Sequence, residues 1–242
     1  MKKRIVMRTK KTIPILLLMM VVLFVGCQPE NNLNDGGENQ SVYNGHEYVD
    51  LGLPSGTLWA ACNVGADKPE EYGDYFAWGE TQPKSSYYWS TYNYCDGERD
   101  RLTKYCYDSV YGNNCFTDHL TILEAIDDAA TVNWGEGWRT PTREEWGELF
   151  SNTDKEFSMI NDVEGWLFTA PNGNNLFLPC ADWLSGEVES RTFYGYYWSS
   201  SFMDFFTGPD CAWCFYFDWS SCRIQSVGRS LGLSVRPIHP VE

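Results

Sequence analysis

Chemistry in this chain would have to come from a small set of residues. Adjacent carboxylates occur at Asp127-Asp128 and Glu144-Glu145, a cysteine pair at Cys211-x-x-Cys214, and histidines at His46, His119 and His239. General acid–base work needs two carboxylates aimed at one reacting centre. Neighbours in a helical sequence project from different faces, so these pairs suit capping and solvation. Cys211-x-x-Cys214 has the spacing of a redox or metal motif, yet no second such pair accompanies it and its neighbours are aromatic. No Ser-His-Asp arrangement is present either. The expectation is no catalytic residue, no metal and no cofactor.

Cys27 is a different case, because its position is set by the segment before it. Lys2, Lys3, Arg4, Arg8, Lys10 and Lys11 form a basic start, followed by the apolar run from Ile13 to Val25. Thirteen residues make a helix of about 20 Å, too short for a bilayer core of about 30 Å. This is the layout of a secretory signal, assigned to 1–26. Phe24-Val25-Gly26-Cys27 resembles the lipobox of bacterial lipoproteins, which implies acylation of Cys27 and a membrane partner reached through the lipid. Several acyl chains on one cysteine hold a protein stably, where one is marginal. Residues 27–43 are rich in Asn, Gly, Gln and Glu and read as a flexible acidic tether. The expected location is the outer membrane, on the cell surface.

The elements that would position a site follow in 44–242, read as one domain. Short strands are expected at Tyr48–Leu53 and Thr57–Cys62 around the Pro54-Ser55-Gly56 turn. Residues 67–117 read as a long irregular insertion, too long for a bare connection. Leu120–Val132 has helical character. The best-marked helix begins at Thr140-Pro141-Thr142, where Thr142 and Glu145 match a capping box and Trp146, Leu149 and Phe150 form one buried stripe. From Gly165 onward the pattern is strands and turns. In Trp213–Trp219 one parity is entirely aromatic, which reads as a half-buried strand. Strands, helices and more strands make an α+β fold with about two helices and long irregular loops.

Charge removes one class of partner. The basic start holds six of the 18 Lys and Arg and none of the 33 Asp and Glu, so the rest of the chain carries a net −21. A field of that sign repels nucleic acid. The 11 Trp, 15 Tyr and 13 Phe suit carbohydrate, since sugar rings stack on aromatic faces while carboxylates and amides accept their hydroxyls. Core packing claims most of these rings; Trp59, Trp78, Trp146 and Trp198 are expected inside. Trp138, Arg139 and Arg236 are expected to serve the fold. Of the cysteines after Cys27, Cys95 and Cys106 flank a polar loop and form the best local disulfide candidate.

Several motifs occur in order: Tyr48-Val49-Asp50-Leu51-Gly52-Leu53-Pro54-Ser55-Gly56-Thr57-Leu58-Trp59, Gly73-Asp74-Tyr75-Phe76-Ala77-Trp78-Gly79-Glu80, Asp127-Asp128-Ala129-Ala130, Gly137-Trp138-Arg139-Thr140-Pro141-Thr142, Tyr197-Trp198-Ser199-Ser200-Ser201 and Ser234-Val235-Arg236-Pro237. Together they resemble the Fibrobacter succinogenes major paralogous domain, abundant in lipoproteins of Bacteroides and its relatives. The resemblance covers roughly 43–240. It implies a C-type lectin-like fold, related to the formylglycine-generating enzyme group, with both termini in one sheet.

The resemblance also implies a ligand-binding module that presents the region before the last strand. Residues 202–229 read as polar and irregular around one strand, with Asp204, Asp210, Tyr216, Asp218, Ser220, Ser221, Arg223 and Gln225 as candidate contacts for carbohydrate or a surface protein. The Glu-Pro-Asn, Gln-Pro-Asp and Trp-Asn-Asp triplets of calcium-dependent lectins are missing. An oxidase of the formylglycine-generating type would need an active-site cysteine pair that Cys211 and Cys214 do not match. A structural role in a surface assembly is the main alternative to binding.

Overall fold

A computed structural model describes residues 41–189, 193–202 and 208–241. Cys27, the signal and most of the tether lie outside the described residues. The tether range ends in an ordered element: β1 (Ser41–Tyr43) pairs with β2 (His46–Asp50). β2 continues to β3 (Leu58–Ala60), and β3 takes β14 (Ile238–His239) on its other side. The two ends of the domain therefore close in one four-stranded sheet.

The expected strands around Pro54 are present, and so is the marked helix. In α2 (Arg143–Asn152) the Thr142 hydroxyl accepts from the Glu145 N–H, and the Glu145 carboxylate accepts from the Thr142 N–H. Arg139 adds a two-pronged contact to Glu145 at 2.8 and 2.6 Å. Trp146 and Leu149 are buried, but Phe150 is 38% exposed beneath the Lys155 ammonium. The expected three-residue stripe is thus two residues wide.

Leu120–Val132 is not one helix. A 3₁₀ turn (Ala125–Asp127) precedes α1 (Ala129–Trp134), with extended backbone at Asp128 between them. Asp128 caps α1 by accepting from the Ala130 and Thr131 N–H groups, and also binds Thr140. Asp127 points elsewhere, accepting from Lys104, Tyr94 and Tyr105 at 2.5–2.6 Å. Burial works to raise its pKa, but these donors outweigh it and hold Asp127 below the usual carboxylate range. Competition from side-chain acceptors for backbone N–H groups explains the break.

The irregular insertion is ordered by such contacts, with a short β4 (Tyr75–Phe76) in it. Asp118 accepts the N–H groups of Tyr105 and Cys106. Arg229 is fully buried, donates to the Tyr105 carbonyl at 3.1 Å and lies over the Trp78, Tyr92 and Phe202 rings. Arg236, also fully buried, donates to Asn63 and to the carbonyls of Ala60 and Ala61. It pins the backbone after β3, as a fold residue should.

A three-stranded meander follows: β5 (Asp154–Ile160), β6 (Val163–Thr169) and β7 (Asn175–Pro179). After a small hairpin of β8 (Leu184–Ser185) and β9 (Val188–Glu189), the chain enters the five-stranded sheet that bears the site. Its order is β12 (Cys222–Gly228), β11 (Cys211–Phe217), β10 (Gly195–Phe202), β13 (Leu233–Ser234), β4. The architecture is α+β, mostly strands with long loops.

Both faces of that sheet are covered. Tyr197, Phe215 and Phe217 join Trp59, Trp146 and Phe168 in one core. Trp198, Phe202, Ala212 and Cys214 join Phe76, Trp78 and Tyr105 in another. The strand expected at Trp213–Trp219 ends at Phe217, and from Cys214 to Phe217 it is buried on both faces. Trp146 stacks on Phe215 with ring centroids 4.8 Å apart and planes at 2°, and its indole N–H donates to the Trp198 carbonyl. Asn39–Glu242 forms one unit by its internal contacts.

Candidate functional site

Residues 202–229 are not loop around one strand. Within them β11 and β12 form a seven-residue hairpin in full register, from Cys211 opposite Gly228 to Phe217 opposite Cys222. Sequence reading missed β12 because its composition is polar; pairing with β11 supplies what its own residues lack. The hairpin also separates the expected ligand set. Asp210 stands at one end, where its carbonyl accepts the Arg229 N–H and its carboxylate lies 4.0 Å from Arg99. Asp218, Ser220 and Ser221 stand at the other end, roughly 20–25 Å away at the rise of a strand. Asp204 lies outside the described residues.

At the far end Asp218 builds the turn. Its Oδ1 accepts from the N–H groups of Ser220 and Ser221 at 2.7 and 2.9 Å and from the Ser220 hydroxyl at 2.7 Å. The Ser220 hydroxyl and these N–H groups hold the Asp218 carboxyl down at about 2, against the opposing effect of burial. Trp166 donates its indole N–H to the Asp218 carbonyl at 2.7 Å, fastening the turn to β6. Asp218, Ser220 and Ser221 are therefore turn-forming residues first. Their contacts raise Trp219 to the crest, 69% exposed. The aromatic parity noted in the sequence stops at Phe217, because the strand ends there and Trp219 no longer shares its buried face.

Phe193 lies at the same end. Gly195 pairs with Phe217, so the chain entering β10 and the chain leaving β11 emerge together, and Phe193 is 62% exposed. Gly195 is required here, since a Cβ would fall within 1.9–2.4 Å of the Phe217 ring.

Behind the crest lies a cross-strand row: Tyr196, Tyr216 and Arg223 are mutual partners on β10, β11 and β12. The Tyr196 and Tyr216 rings meet edge to face at 4.9 Å, and Tyr194 lies 5.7 Å from Tyr216. Arg223 sits 4.4 Å over the Tyr216 ring and donates from Nε to Gln225 at 3.1 Å. Burial pushes the pKa of the Tyr196 hydroxyl up to about 12. Tyr216 donates to Asp218 at 3.2 Å and is itself buried. The structure thus unites Tyr216, Asp218, Ser220, Ser221, Arg223 and Gln225, and adds Trp219, Phe193, Tyr194 and Tyr196. The signal that could have found Trp219 is Asp-x-Ser-Ser between two strands, a turn whose second residue must point outward.

An interior hollow among Phe76, Trp78, Glu80, Leu123, Trp198 and Val235 holds about one water, at about 10 Å³. None of the eight cysteines of the described residues is in a disulfide. Cys95 and Cys106, expected as a disulfide, instead donate to carbonyls: Cys95 to Trp89 at 3.1 Å, Cys106 to Asp108 at 3.2 Å. Each sulfur is turned into its own loop, which orients it by local hydrogen bonding. Burial pushes the Cys214 thiol far up and those of Cys180 and Cys222 to about 12, the opposite of an activated nucleophile. Among the described residues no group of three or more His, Cys, Asp or Glu converges as a metal site, and no helix is long and apolar enough to cross a membrane. Comparison with family models, curated proteins and solved structures finds no match to this chain.

Proposed function

We propose that this protein is a lipid-anchored, extracytoplasmic binding module of the Fibrobacter succinogenes major paralogous class, with a C-type lectin-like fold, that takes carbohydrate on the aromatic end of its five-stranded sheet. The observation that carries the reading is Trp219. A hairpin crest is built around Asp218 and tied to Trp166, and it holds a large apolar ring in water. Isolated exposed apolar residues are ordinary, but Trp219 lies with Phe193 beside a rigid row of tyrosines. Indole and phenol faces suit the apolar faces of sugar rings, and the neighbouring hydroxyl and amide groups suit their hydroxyls. Export and acylation at Cys27 would put this end where glycans are met.

The test is a glycan array probed with the full chain in detergent. Saturable binding that Trp219→Ala abolishes, with the melting temperature kept, supports the reading. A blank array from folded protein sinks it. The second reading is a surface-protein ligand, favoured by Phe193 and Trp219 together, since exposed aromatics beside an arginine are typical anchors of protein interfaces.

A further inference from the structure

The geometry points to a carboxylate on the sugar: the site recognises an acidic glycan, gripped by Arg223. This rests on the carbohydrate reading above and narrows it to a ligand class.

A surface arginine is ordinarily mobile, and fixing it for a ligand loses side-chain entropy. Arg223 is exposed yet already fixed. The Tyr216 ring lies 4.4 Å beneath its guanidinium carbon, and Gln225 accepts from its Nε. Among the described residues only the Nε edge is spent. Among the described residues Arg223 forms no ion pair, although the chain is strongly acidic.

Asp218, on the same hairpin, is committed to its turn through Oδ1 and to Tyr216 through Oδ2. Among the described residues nothing takes the Nη groups, so they face an external acceptor, and a planar fork matches a carboxylate with two parallel hydrogen bonds. The overall negative field does not oppose this at physiological salt, where screening sets in within about 8 Å. Trp219 is exposed at the turn that follows Tyr216, and Tyr194 packs on Tyr216, so both belong to the end that would meet the ring carrying the acid.

The test compares an oligogalacturonate with its methyl ester, which keeps the rings and removes the charge, using the full chain in detergent. Tighter binding of the acid by about tenfold or more is expected, as for a charge-assisted bidentate contact. Arg223→Gln should erase that preference, and Arg223→Lys should restore it only in part, because a point charge replaces the fork. A thermal melt confirms that both variants fold. Equal binding of acid and ester, or a preference that survives in Arg223→Gln, overturns the inference while leaving the carbohydrate reading intact. Equal binding of polyglutamate overturns it in favour of an acidic peptide. Absence of glycan binding alongside a hit for a protein ligand overturns both.

Discussion

Arg223 lies over the Tyr216 ring at 4.4 Å, at paired positions on β12 and β11, so one residue of a polar strand is fixed by one residue of an aromatic strand. The pair shows how the site end is organised. Rings and hydrogen bonds internal to the hairpin fix its polar groups before any ligand arrives.

Asp218→Ala is expected to lower stability by roughly 1–2 kcal/mol, because three donors lose their shared acceptor. The same carboxylate sets an acid limit. Its folded pKa of about 2 lies below the ordinary 3.8, so the unfolded chain binds the proton first. The stabilisation is present above about pH 4 and is lost as pH falls toward 2. Urea melts of both proteins across that range would show it; equal slopes would remove Asp218 from the account.

His46 titrates in a milder range. Its ring stacks on Trp134 at 3.7 Å, and burial lowers its pKa from 6.5. The folded state thus favours the neutral ring. Its contribution is complete above about pH 6.5 and declines as pH falls toward the folded value. His46→Phe keeps the stack and removes the titration, so its melting temperature should vary less between about pH 7 and 5. An unchanged pH profile would contradict this.

Trp146→Ala should destabilise by roughly 3–5 kcal/mol, the usual cost of emptying an aromatic site in a core. Phe150→Ala, one turn on, should change stability by less than about 1 kcal/mol, since the ring is partly exposed and lies under the Lys155 ammonium. Denaturant midpoints distinguish the two.

Cys27→Ala should move the protein from the membrane fraction to the soluble fraction. Continued partition with membranes would end the lipoprotein reading.

Much of the scaffold was legible because its signals are local. The Thr142–Glu145 box acts within one turn, and β2 and β3 bracket a Pro-Ser-Gly turn that any context would favour. Trp59, Trp78, Trp146 and Trp198 lie inside, as their motifs implied, and Arg236 binds carbonyls. The helix expected over Leu120–Val132 failed for a reason equally physical. Its apolar spacing is real, but Asp127 and Asp128 find distant partners in Tyr105 and Thr140 that periodicity cannot show.

What the sequence determined by itself is therefore the α+β class, the α2 start and the identity of six residues in the candidate site. Which of those residues meet was decided only by tertiary structure. Asp210 and Asp218 are eight residues apart, and a loop could have joined them. Pairing with β12 straightened the chain between them, and a straight strand keeps its ends apart. That same pairing ended at Phe217, turned Trp219 outward, and placed Arg223 over Tyr216.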